Sequence, residues 1–274
     1  MVFMLSEKEN PTIKKDIVTT NNDWLNDPKE TILLYGNPKI GKTFAYCSIL
    51  DKKIKEGSDI YLINTDGGIA KTLKQYFGED VDKISSKLHF YFIGSVEEAF
   101  NTITKIKNIV KDKDVIVIDL ISDFWELEQA QFITELGGEN PLGMFVKGMK
   151  DPARFGLFLG SQWQYIKKLD NFIIDSLIIR PPCNTIIATS SSKDVEIEKS
   201  ISGVKKHSYD VAGARPSGSP SLPYKFNTIV YIGLMENKRY FMITGDRGVT
   251  INPTMITYER NFYEKFLEIR NKKC

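Results

Sequence analysis

The chain has 274 residues, 42% of them hydrophobic, which suffices for one sizeable domain with insertions. Thirty-seven basic residues against 35 acidic leave a net charge of +2, which excludes a strongly basic coat for nucleic acid while leaving room for a local basic patch. The scattered Cys47, Cys183 and Cys274 exclude a disulfide framework and a structural zinc; with no apolar run of membrane-span length and an amino terminus too polar for a signal peptide, a soluble, cytoplasmic protein is expected.

Residues 1–29 read as a loose polar arm, with Trp24 and Leu25 as its possible anchors. "TILLYG" is then a strand, and helical residues run from Lys42 to about Lys55. "DIYLINTD" (59–66) is a second strand, followed by a helix near 68–77, and "LHFYFIG" (88–94) is a third. Ser95, followed by Glu98, predicts a capping box for a helix with apolar spacing through Phe100, Ile103, Ile106 and Val110. "DVIVIDL" (114–120) is continuously apolar, as a strand buried on both faces of a parallel sheet must be. Such alternation predicts an α/β fold with right-handed crossovers. "ISDFWELEQAQFITEL" and "SQWQYIKKLDNFIIDSLIIR" read as helices around a Gly- and Pro-broken insertion near 137–160, and the second stops at Pro181-Pro182. "NTIIATSSS" is a fifth strand, residues 192–223 a mobile excursion, and "NTIVYIGLMEN" with "KRYFMITGD" a hairpin across Asn237-Lys238. A domain over 30–257 with a helix over 258–274 is the expected organisation.

Gly36-Asn37-Pro38-Lys39-Ile40-Gly41-Lys42-Thr43 fits the phosphate-loop pattern GxxxxGK[ST] without a mismatch, and it stands between a strand and a helix that continues through Phe44. Backbone N–H groups of such a loop surround a phosphate, and the helix turns its positive end toward it. Lys42 is the candidate for the β- and γ-phosphates, and Thr43 for Mg²⁺. Asp119, ending the buried strand "VIVID", is the candidate metal partner; the alternative is a strand-terminal Asp that caps the next helix. Leu120 follows it and cannot activate water, which leaves Asp66 at the end of "IYLINTD"; "TDGG" is equally good turn chemistry. Thr189, Ser190 and Ser191 are candidate γ-phosphate sensors. Arg247, in "ITGDRG", is either an arginine finger supplied to a neighbouring subunit or an exposed turn residue.

On "LLYGNPKIGKT", "IYLINTD", "VIVIDLISDFWE" with Trp125, "SQWQYIKKLDNFI" with Trp163 and "TIVYIGL…YFMITGDRG", residues 31–250 resemble a RecA-like P-loop ATPase. The branch resembled is that of phages and archaeal viruses, related to single-strand-annealing and KaiC-like ATPases. The resemblance implies a mostly parallel central sheet flanked by helices with a C-terminal antiparallel hairpin. It implies ATP and Mg²⁺, catalytic roles for Lys42, Asp66, Asp119 and Arg247, and a homo-oligomer with ATP at subunit interfaces. The chain departs from that family at Asp66, where Glu is usual, and at Gly245, where a Lys often precedes the finger. The implied work is a DNA transaction in recombination, annealing or replication. Candidate contacts to single-stranded DNA are Lys147, Lys150 and Arg154 beside Phe145 and Phe155, and Lys205, Lys206, His207, Tyr209, Arg215 and Tyr224; solvated loops are the alternative. A slow nucleotide-gated switch without DNA binding is the competing expectation. A small-metabolite kinase is a third, for which lid arginines are not evident.

Overall fold

The computed structural model describes residues 29–137, 160–194, 212–248 and 252–271. Strand β1 (Glu30–Gly36) leads through the phosphate loop into helix α1 (Lys42–Lys55). Next come β2 (Ile60–Asn64), α2 (Ile69–Phe77), β3 (Leu88–Phe92), α3 (Val96–Ile109), β4 (Val115–Asp119) and α4 (Ile121–Gly137). After the undescribed 138–159 come α5 (Gly160–Ile174), β5 (Thr185–Asp194), β6 (Ala214–Pro216), the hairpin β7 (Thr228–Met235) and β8 (Lys238–Asp246), β9 (Ile256–Thr257) and α6 (Phe262–Asn271).

The sheet order is β3-β2-β4-β5-β1-β7-β8-β9, with β6 paired to β5. Strands β3 through β7 in that order are mutually parallel, while β8 and β9 run antiparallel. This is a RecA-like sheet: one strand, β5, separates the phosphate-loop strand from the acid-bearing strand, and antiparallel strands close the C-terminal edge. Helices cover both faces. Leu50 of α1, Leu73 of α2 and Phe262 and Phe266 of α6 belong to the core on one side. Ile103 of α3, Phe124 of α4 and Ile173 of α5 belong to the other. With both faces buried, β2 and β4 carry no exposed residue, which accounts for their unbroken apolar sequences.

The capping box is present. Ser95 Oγ accepts from Glu98 N at 3.2 Å, and Glu98 Oε2 reaches back to Gly94 N at 2.7 Å, one residue earlier than the reciprocal pattern. Three expectations need correction. Residues 192–194 extend β5 and pair with β6 in the register Ser192↔Pro216, so this part of the expected mobile excursion is sheet; backbone pairing supplies an order that its Ser and Lys content conceals. The hairpin turns at Glu236-Asn237, both with positive φ (51° and 61°), the two-residue turn whose twist matches the strands. Helix α6 begins at Phe262, because Ile256–Thr257 pair with β8 first.

Candidate active site

Residues 37–41 cross from the carboxyl end of β1 to α1. Gly36 is required by close approach: a Cβ there would stand 2.3 Å from the Ile232 carbonyl oxygen of β7. Lys39 (φ 63°) and Gly41 (φ 106°) take the left-handed conformation. Such turns point successive N–H groups into one concavity, at the positive end of α1. Lys42 is buried, and its ammonium donates to the carbonyls of Gly36 (2.9 Å) and Asn37 (3.0 Å). Burial lowers its pKa, and the nearby carboxylates of Asp119, Asp66 and Asp123 work in the opposite direction.

Asp119 is the hub. Thr43 Oγ1 donates to its Oδ2 at 3.1 Å, Tyr46 to the same oxygen at 2.8 Å, and Thr189 to Oδ1. Burial raises its carboxyl above the usual range, and the hydrogen bonds from Thr189, Tyr46 and Thr43 oppose that rise. Strand order explains the convergence: β5 runs between β1 and β4 and brings Thr189 beside the end of β4. One residue, Asp119, thus links the helix after the loop, the acid strand and the strand between them. A hydroxyl beside a carboxylate at the helix start, with a buried ammonium one residue away, is a donor set that fits a Mg²⁺–nucleotide complex.

Asp66 lies two residues beyond the end of β2 and is exposed. Its Oδ1 accepts from Gly68 N at 2.8 Å in a turn, and its charge still acts on Lys42 and Asp119. Ser190 is buried and donates to the carbonyls of Ser191 and Ser217, so its hydroxyl is committed to the backbone. Arg247 does not join this site within one chain. Asp246 pairs with Thr228, which pairs with Ile32, so Arg247 lies toward the amino end of β1, roughly 15 Å of strand away from Gly36. Its guanidinium donates to the Tyr224 carbonyl. Arg215 is exposed on β6, opposite Lys193 of β5. Lys147, Lys150, Arg154, Lys205, Lys206, His207 and Tyr209 lie outside the described residues.

Several site residues escaped the sequence reading. Tyr46 sits one turn beyond the loop, and only its spacing from Thr43 hints at the acid. Ser192 donates to Asn37 Oδ1 of the loop. Asp123, in the first turn of α4, accepts from Thr65 Oγ1 at 2.6 Å. Arg239 of β8 lies against Gly41 and stacks on Phe44 at 4.5 Å from the ring centroid, a contact created wholly by the hairpin.

A family model for an AAA domain, AAA_24, matches residues 28–261. The chain belongs to this AAA-domain family. The AAA domain is also similar to the "DNA repair and recombination protein RadB" of Methanosphaera stadtmanae, 28% identical over 179 residues, 63% of this chain and 74% of that protein. Similarity to RadB of Methanococcus maripaludis is 29% over 133 residues, 48% of this chain and 55% of the relative, so the match spans about half of each. Among solved structures, a KaiC-like protein from Pyrococcus horikoshii OT3 superposes with a TM-score of 0.49 at 17% identity, covering 84% of this chain and 85% of that one. Among the described residues no helix is long and apolar enough to cross a membrane.

Proposed function

We propose that this AAA domain binds and hydrolyses ATP with Mg²⁺ and that it works in a DNA transaction of the recombination, annealing or replication kind. The carrying observation is the convergence of Thr43 and Thr189 on the two oxygens of buried Asp119, beside the buried ammonium of Lys42. In this reading residues 36–44 hold the polyphosphate, and Lys42 moves from the loop carbonyls to phosphate oxygens. Thr43 and Asp119 would hold the metal, which would supply neutralisation of phosphate charge. Asp66 is the candidate acid that orients water. Arg247, remote from its own chain's loop, acts in a neighbouring copy, which places ATP at subunit interfaces of a homo-oligomer.

The DNA half is supported by the printed descriptions of the RadB relatives. The exposed Arg215 and the cationic residues at 147–154 and 205–206 are the proposed strand contacts. A virus or mobile element as source, and hence the host cytoplasm as location, rests on the sequence resemblance alone. The test is multiple-turnover ATP hydrolysis by wild type, Lys42→Ala and Asp119→Asn: turnover lost in both variants supports the reading, and unchanged turnover in either contradicts it.

A second reading, a slow nucleotide-gated switch, is favoured by one observation: Asp66 is exposed and its carboxylate is engaged by Gly68 N, while Leu120 offers no acid. Rapid turnover abolished by Asp66→Asn excludes the switch.

A further inference from the structure

Arg247 directly follows Asp246, the last residue of β8, and is exposed. Exposed turn residues usually stand on loosely held loops. Here the backbone on either side is pinned. Asp246 Oδ1 accepts from Gly248 N at 2.8 Å, closing the turn around Arg247, and Arg247 N donates to the Asn227 carbonyl at 2.9 Å. Asn227 is tied in turn to the start of β1: its N–H donates to the Thr31 carbonyl at 3.1 Å and its Nδ2 to the Lys29 carbonyl at 2.7 Å. The second oxygen of Asp246 faces inward. The side chain is 1% exposed, and Oδ2 meets Arg270 Nε at 3.1 Å. Through Nη1 the same guanidinium donates to Glu30 Oε2 at 2.6 Å, so one side chain bridges the start of β1 and the end of β8. Arg270 is carried by α6, which is fixed by the buried Phe262 and Phe266 and by Tyr263 N donating to Ser48 Oγ of α1 at 3.0 Å.

We propose that Arg270 is a positioning residue for Arg247: through Asp246 it fixes the place and direction from which the Arg247 guanidinium leaves the sheet toward the nucleotide of a neighbouring copy. This rests on the reading of Arg247 as acting in that neighbour. A buried ionic network adds little net stability, because desolvation offsets most of its attraction, but a planar fork that bonds two carboxylates at once fixes where both stand. The groups so fixed here are the first residue of β1 and the residue that closes the Arg247 turn. The Arg247 guanidinium donates to its own chain's Tyr224 carbonyl, a bond it would exchange for phosphate oxygens. Only its side chain has to move, since the backbone beneath it is already held. A misplacement of about 1 Å in a group that must meet a transition state costs about a hundredfold in rate, so the anchor of a remote arginine matters as much as its charge. Arg270 itself is not offered to the nucleotide; it acts through Asp246.

The test is ATP hydrolysis by mixtures of full-length variants with Mg²⁺. Arg270→Ala alone should lose about tenfold or more of turnover while its ATP affinity stays within about threefold of wild type. It spares its own phosphate loop and fails its neighbour's, so mixed with Lys42→Ala it should regain turnover, as the mixture of Arg247→Ala with Lys42→Ala does. Mixed with Arg247→Ala, which carries the same defect, it should regain none. Arg270→Lys keeps the charge but cannot hold both carboxylates with one ammonium, and Asp246→Asn removes the charge that Arg270 grips; both should show the same pattern of recovery, and they carry the test if Arg270→Ala does not fold. Wild-type turnover in these variants, or folded variants that recover with neither partner while Arg247→Ala recovers with Lys42→Ala, overturns the proposal and leaves the neighbouring-copy reading standing. No recovery by Arg247→Ala with Lys42→Ala overturns that reading and the proposal with it.

Discussion

Thr43 Oγ1 and Asp119 Oδ2 stand 3.1 Å apart although 76 residues separate them in the chain. Their meeting joins the first helical turn after β1 to the end of β4. The second Asp119 oxygen is held by Thr189, so the carboxylate is fixed from both sides. Asp119→Asn keeps the shape and removes the charge. ATP affinity should change by no more than about threefold in Mg²⁺-free buffer, while turnover with Mg²⁺ should fall roughly a hundredfold or more. Calorimetry and steady-state hydrolysis separate the two effects, and an equal loss in both contradicts the metal role.

Lys42→Ala tests the cradle itself. The ammonium makes two hydrogen bonds to loop carbonyls, which it would exchange for phosphate oxygens. Charge-assisted bonds contribute about 1.5–3 kcal/mol each, so affinity for ATP should fall by about a hundredfold or more. The variant should still fold, because Asn37 is exposed and its carbonyl can turn to water.

Arg247 lies toward the opposite end of β1 from the loop. A mixture of Lys42→Ala and Arg247→Ala proteins should regain part of the turnover that each lacks alone. No recovery, with both variants correctly folded, contradicts action in a neighbouring copy.

Glu128 of α4 is fully buried with neither carboxyl oxygen partnered, and burial pushes its pKa from 4.5 up to about 9, with Asp170 of α5 adding to the rise. Burial likewise pushes Asp170 up to about 6 from 3.8, against its hydrogen bond from Ser219 and the charge of Lys225. Both folded values exceed the unfolded ones, so the native state holds protons that the unfolded chain releases. Stability should therefore be fullest at low pH in this respect and fall as pH rises toward 9, at up to about 1.4 kcal/mol per unit for Glu128. Glu128→Gln should flatten the melting temperature between pH 6 and 9. An equally steep fall in the variant contradicts the assignment.

The order of strands and helices was legible because period and punctuation are local. β4 reads as apolar since both its faces are covered, and Ser95-x-x-Glu98 marks a helix start by itself. Lys42, Thr43 and Asp119 were legible through motif and strand end. Arg239 and Tyr46 were not, because their partners come from distant segments and no spacing announces them. Residues 192–194 and 214–216 read as irregular chain because a ribbon of Ser, Lys and Arg lacks apolar alternation; their order comes from pairing across β5 and β6. The displacement of Arg247 from the loop follows from the antiparallel course of β8, which a linear reading cannot weigh.

The most direct test of the central claim is ATP hydrolysis by the purified protein with and without single-stranded DNA, at low and at moderate salt. A DNA-working ATPase predicts Mg²⁺-dependent turnover that DNA stimulates at low salt and that weakens as salt rises, since phosphate contacts release counterions. ATP binding with slow turnover that DNA leaves flat at every salt concentration contradicts it and favours the nucleotide-gated switch.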